Sequence, residues 1–140
     1  MSVSKATARW EGSLKEGRGS MKPAHGSDTP FSLGTRFAGE KGSNPEELIG
    51  AALAGCFSMA LTANLGKAGL NPESVETSAD VALDKDGEGF TITNIKLTTK
   101  ARVPGVDAAK FQSIAEETKK TCPVSKALAG PKISLEASLE

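Results

Sequence analysis

An α+β fold is predicted by three features of the chain. The run Ser43–Leu70 reads as one long helix, and segments on both sides of it alternate apolar and polar residues as strands do. The order of elements is strands, helix, strands, helices, strand, with no regular βαβ alternation.

Each element has its own signals. Val3–Trp10 alternates as a strand, and E-G-S-L-K-E-G-R-G-S reads as a turn and return strand rich in glycine. Residues 23–30 (P-A-H-G-S-D-T-P) form a loop. Phe31–Phe37 has period two and is predicted as a strand, with Phe31, Leu33, Thr35 and Phe37 on one face and Arg36 on the other. A short turn, Ala38–Ser43, leads into the long helix. There Asn44 can cap free backbone N–H groups, Pro45 suits the first helical position, and Glu46 and Glu47 face the positive end of the dipole.

Between Leu48 and Leu61 no residue is charged, and Gly50, Ala51, Ala52, Ala54 and Gly55 keep the helix narrow. A helix apolar on every face must be covered on every face. One small sheet covers too little of it, so a second copy of the chain is expected to pack on it in an intimate homodimer. Beyond Gly69, Val75–Leu83 and Phe90–Val103 are predicted strands joined by the hairpin signal D-K-D-G-E-G. Asp107 caps a helix to about Lys119 whose apolar stripe is Phe111, Ile114 and Ala115. Thr121-Cys122-Pro123 opens a short helix that stops near Gly130-Pro131, and Ile133–Leu139 is a last strand. At 140 residues, with no linker, repeat or low-complexity segment, the chain is expected to be a single domain, 1–140.

Composition narrows the function. Seventeen basic residues balance seventeen acidic ones, which argues against nucleic acid or an anionic membrane as partner. The N-terminus, M-S-V-S-K-A-T-A-R-W, lacks the apolar stretch of a secretory signal, and the uncharged run is shorter than the roughly 20 residues that span a bilayer. A soluble cytoplasmic protein is expected. One histidine (His25) and two distant cysteines furnish no usual zinc site, and no cofactor is expected.

The two cysteines are the candidates for chemistry. Cys56 lies in the middle of the apolar helix, where a thiol by itself reads as a small core hydrophobe. Cys122 stands at the cap of a new helix, where N–H groups and the dipole stabilise a thiolate. Cys122-Pro123-Val124-Ser125 is similar to a C-x-x-C redox motif with its second thiol replaced, but no βαβ unit precedes it, against a thioredoxin reading. Two thiols distant in sequence could meet in the fold as a disulfide, or remain separate core residues. A buried cysteine reactive at neutral pH needs a nearby cation. Arg36 is the candidate, with Glu46 placed to hold it by a two-pronged pair. Glu46 and Cys56 stand ten positions apart, roughly 15 Å along a helix and about 80° around it. For both to serve one site, an arginine must bridge them or Glu46 must come from the other subunit.

Residues 35–61, T-R-F-A-G-E-K-G-S-N-P-E-E-L-I-G-A-A-L-A-G-C-F-S-M-A-L, resemble the signature of the OsmC/Ohr family of organic hydroperoxide reductases, in its osmotically inducible protein C branch. A-D-V-A-L-D-K, V-P-G-V-D-A and C-P-V-S-K-A-L follow in the family's order, so the resemblance covers nearly the whole chain. It implies an OsmC-like fold, with antiparallel sheets around a long buried central helix in an intertwined homodimer whose two active sites lie at the interface. It also implies a peroxidatic role for Cys56, a resolving role for Cys122, activation of the thiolate and binding of peroxide by Arg36, and orientation of that arginine by Glu46. Leu53 and Gly55 depart from the residues typical of the positions before the nucleophile, which bears on the shape of the pocket.

The expected reaction is reduction of an organic hydroperoxide to an alcohol through a Cys56 sulfenic acid and a Cys56–Cys122 disulfide. A dithiol would reopen that disulfide; the family implies a lipoyl group carried on a protein. Leu48, Leu53, Phe57 and Met59 are expected to supply apolar pocket walls that favour alkyl hydroperoxides. Two other readings remain open: a thiol redox sensor without turnover, and a small hydrophobic-ligand carrier in which both cysteines are core.

Overall fold

A computed structural model describes all 140 residues. The chain divides into two compact units, Met1–Leu48 and Ile49–Glu140, with the division falling inside the long helix.

In the first unit, β1 (Ala6–Glu11), β2 (Arg18–Pro23) and β3 (Thr29–Phe31) form an antiparallel sheet in sequence order. Residues 31–37 do not continue as the expected strand: β3 ends at Phe31, and Leu33–Phe37 is a short helix, α1. The reason is local. The Ser32 hydroxyl accepts from the Thr35 N–H at 3.2 Å, and the Thr35 hydroxyl accepts from the Ser32 N–H at 2.9 Å. This reciprocal cap pulls the backbone out of the extended conformation that its alternating side chains favour.

The long helix, α2, runs Pro45–Lys67. Its start is as expected: the Asn44 side chain accepts from the Glu47 N–H at 2.9 Å, and Pro45 is the first helical residue. It ends where Gly69 takes a φ of +80° and the Leu70 N–H returns to the Leu65 carbonyl at 3.0 Å. With 23 residues it has the length and apolarity to cross a bilayer, more than the uncharged run alone suggested. One face of it is buried in the core. Leu53, Phe57, Leu61 and Leu65, spaced four apart, are wholly buried with Ile95, Leu97, Ala101, Phe111 and Ala115. The opposite face is bare in the single chain. Ala51, Ala52, Gly55, Thr62 and Ala63 are exposed, and Met59 is 77% exposed.

The second unit's sheet follows. β4 (Ser74–Asp86) and β5 (Gly89–Arg102) form the expected hairpin around Gly87, whose φ is +61°. Asp107 caps α3 (Ala108–Thr121) by accepting from the Lys110 N–H at 2.9 Å. α4 is Pro123–Ala127, and β6 is Lys132–Leu139. β6 pairs parallel with β5, so this sheet is mixed where antiparallel sheets were expected. The helices α3 and α4 are the connection that lets the chain return in the same direction.

Hydroxyls tie α2 to its surroundings within this unit. Ser58 donates to Thr77 at 2.8 Å, Thr77 and Thr99 share a bond at 2.9 Å, and Thr99 bonds the Glu76 carbonyl at 3.1 Å. Asn64 donates to the Thr118 hydroxyl at 2.8 Å, fixing α2 to α3. Satisfied buried hydroxyls of this kind select one register of helix against sheet.

Candidate active site

The sequence-predicted polar residues form two pairs, one within each unit. In the first, the Arg36 guanidinium meets the Glu46 carboxylate. Its Nε donates to Oε1 and Oε2 at 3.1 and 3.2 Å, and Nη2 donates to Oε1 at 2.5 Å. Arg36 comes from the last turn of α1, not from a strand, and Glu46 from the first turn of α2. Glu46 is only 7% exposed, while the arginine keeps part of its surface open. A charge-assisted fork of this kind fixes the plane of the guanidinium.

The arginine also borders an apolar cavity of about 420 Å³, walled by Trp10, Leu14, Phe31, Leu33 and Phe37. Its guanidinium carbon stands 5.3 Å from the centre of the Phe37 ring, and Trp10 and Phe31 pack with ring centres 5.4 Å apart. These aromatic walls went unrecognised in sequence because the strand reading of 31–37 turned the phenylalanines away from Arg36. In the short helix, Leu33, Arg36 and Phe37 share a face by their three- and four-residue spacing.

The expected apolar walls do not form one pocket. Leu53 and Phe57 are sealed in the core, Met59 points the other way on α2, and Leu48 is half-buried beside Ala8 and Met21. Two residues along a helix rotate a side chain by about 200°, so Phe57 and Met59 cannot face one cavity.

In the second unit, Cys56 and Cys122 are free thiols with sulfurs 2.7 Å apart. Cys56 is half-buried and Cys122 is 1% exposed. Cys122 ends α3 and caps α4, a sharp bend made by Pro123 at the first position of the new helix.

The two thiols are within hydrogen-bonding distance of each other, and their surroundings divide them. Burial pushes the Cys56 thiol up, the hydrogen bond with Cys122 and that neighbour's charge push it further, and the Val124 N–H alone opposes them. Burial also opposes a charge on Cys122. There the Cys56 thiol, the Ser125 N–H and hydroxyl, and the Val124 N–H outweigh it, and Cys122 lies below the ordinary thiol range. These surroundings make Cys122 the more acidic of the two thiols. Ser125, the residue that replaces the second thiol of a C-x-x-C motif, thus joins the site. No cluster of ligands able to hold a metal is present.

The OsmC-like protein family model matches residues 38–136, a span that includes Glu46, Cys56 and Cys122. The chain is 52% identical over 126 residues to a protein of Escherichia coli named peroxiredoxin OsmC, covering 89% of this chain and 88% of that one. It is 34% identical over 103 residues to an organic hydroperoxide resistance protein of Xanthomonas axonopodis pv. citri, covering 73% and 69%. The crystal structure of the organic hydroperoxide resistance protein OhrB of Bacillus subtilis superposes with a TM-score of 0.74 at 28% identity, over 99% of this chain and 98% of that one. A helix and mixed sheet carrying two thiols at 2.7 Å, a family match over most of the chain and a relative at 52% identity lead to one conclusion: this chain belongs to the OsmC-like protein family.

Proposed function

We propose that this chain is a thiol-dependent peroxidase that reduces organic hydroperoxides to alcohols. Relatives named peroxiredoxin and organic hydroperoxide resistance protein support a peroxidase-type enzyme with a hydroperoxide-related redox role. The observation that carries the mechanism is the pair of free sulfurs at 2.7 Å.

The Cys56 thiolate attacks the distal oxygen of ROOH. The O–O bond breaks, the alkoxide leaves and takes up a proton from solvent to become the alcohol, and Cys56 becomes a sulfenic acid. The Cys122 thiolate then attacks that sulfur, hydroxide leaves as water after taking a proton, and a Cys56–Cys122 disulfide forms. A dithiol, such as a lipoyl group on a carrier protein, restores both thiols by exchange.

The first step requires Cys56 to lose its proton, which its surroundings in the single chain oppose. A permanent positive charge reverses this, and the guanidinium of Arg36, held by Glu46, is that charge. The apolar cavity beside Arg36 suits the alkyl part of the peroxide. The bare face of α2 around Gly55 and Met59 is the surface on which a second copy of the chain packs, and two free thiols fit a reducing compartment such as the cytoplasm.

The test is turnover of several alkyl hydroperoxides and of hydrogen peroxide with dithiothreitol and with a lipoyl dithiol. Sustained turnover favouring alkyl substrates is expected. A disulfide that forms once without turnover would make the protein a redox sensor, and two inert cysteines would make it a carrier.

A further inference from the structure

Ser125 lies one helical turn beyond Cys122, in a turn closed by the Lys126 N–H on the Cys122 carbonyl at 3.0 Å. It is 7% exposed, and its hydroxyl oxygen is fully buried with no hydrogen-bond partner. A buried hydroxyl left in this state is uncommon, because desolvation without a partner is unfavourable. The neighbour it favours is the Cys122 sulfur in its charged form. The two sulfurs differ in access as well: Cys56 retains an open surface, and Cys122 has almost none.

We propose that Ser125 is the hydrogen-bond donor that receives the electron pair on Cys122 when a dithiol opens the Cys56–Cys122 disulfide, so that reduction proceeds by attack on Cys56. The proposal rests on the disulfide reading given above. In the step, a reductant thiolate attacks the accessible Cys56 sulfur. A new S–S bond forms between reductant and Cys56, the Cys56–Cys122 bond breaks, and its electron pair leaves on Cys122 Sγ, where the Ser125 O–H donates to it. The second thiolate of the reductant then displaces Cys56, which takes up a proton, and the oxidised reductant leaves as a cyclic disulfide. Exchange is faster when the leaving thiol is the more acidic one, and a donor to Cys122 makes it so. The orphaned hydroxyl of the dithiol state is thus a donor held ready for the thiolate.

Two measurements test this. In reduced Cys56→Ser protein, the ultraviolet absorbance of the Cys122 thiolate is titrated with and without Ser125→Ala. The expected result is an upward move of the midpoint, with about a tenfold fall in thiolate at pH values below it, and recovery with Ser125→Thr, which keeps the hydroxyl. This titration is independent of whether peroxide is turned over, so it separates failure of the present proposal from failure of the peroxidase reading. In the second, wild-type protein oxidised to the disulfide meets substoichiometric glutathione and is quenched in acid. Peptide mapping is expected to find glutathione on Cys56, and the opening step is expected to be severalfold slower in Ser125→Ala. A hydroxyl that is only a packing defect predicts an unmoved midpoint and equal or greater thermal stability in Ser125→Ala. That result, or glutathione on Cys122, overturns the proposal.

Discussion

Cys56 and Cys122 stand 66 residues apart in the chain and 2.7 Å apart at their sulfurs. A disulfide requires about 2.05 Å, so joining them asks for a side-chain adjustment. Cys56→Ser is expected to abolish peroxide reduction. Cys122→Ser is expected to complete the first step and stop, leaving a sulfenic acid that a dimedone-type reagent traps after one equivalent of peroxide. Full cycling by Cys122→Ser at the wild-type rate would remove its resolving role.

The pH dependence follows from the same pair. Cys56 lies above the ordinary thiol range, first because of burial and then because of Cys122. Only the thiolate attacks, so a raised pKa means less nucleophile at neutral pH and a rate that climbs as pH rises. Arg36→Ala is expected to move that climb to higher pH and to slow single-turnover oxidation by roughly 10²–10³-fold, as for loss of one preorganised charged donor. Arg36→Lys keeps the charge but not the fork on Glu46, and is expected to fall between. Glu46→Gln should do less, since it frees the guanidinium without removing it. Stopped-flow oxidation across pH would check the order; an unchanged profile in Arg36→Ala would move the activation to another group.

Assembly is expected to matter to catalysis. Glu46 and Cys56 are separated along α2 by roughly 15 Å, and Arg36 is bonded to Glu46. A homodimer that offers one chain's Arg36 to the other chain's Cys56 resolves this. Mixed dimers of Arg36→Ala and Cys56→Ser chains should then recover one working site, about half the wild-type activity per dimer at most. Two inactive parents whose mixture stays inactive, with mixed dimers verified by mass, would refute it. A stable monomer at low concentration in sedimentation would remove the dimer itself.

A stability contrast tests the packing of α2. A Cβ on Gly50 would lie 3.2 Å from the Val81 side chain and 3.5 Å from the Ala79 carbonyl, whereas nothing lies within 4 Å at Gly66. Gly50→Val is expected to destabilise the fold by about 1–3 kcal/mol through overpacking. Gly66→Ala is expected to stabilise it by about 0.5–1 kcal/mol, because alanine is the better helix former. Urea unfolding of both variants gives the sign directly.

Much of this protein was determined by its sequence, wherever the determinant is a local rule. Asn44 and Pro45 start α2, Asp107 caps α3, and the glycine at 87 closes the β4–β5 hairpin, each through groups within a few residues of one another. The sequence also singled out Cys56 and Cys122 as its only two cysteines, with Arg36 as the candidate cation and Glu46 as that arginine's partner. Other features needed the tertiary structure. Residues 31–37 alternate as a strand should, yet the Ser32–Thr35 cap outweighs that pattern. The parallel pairing of β6 with β5 depends on the crossover through α3 and α4, which no single segment encodes. Leu53 and Phe57 read as apolar as Met59, and only packing decides that two are core and one is bare. The nearness of the two sulfurs, and the donors that make one more acidic than the other, arise from elements distant in the chain: pairing of this kind is a property of how α2 and the α3–α4 bend are stacked, not of either stretch alone.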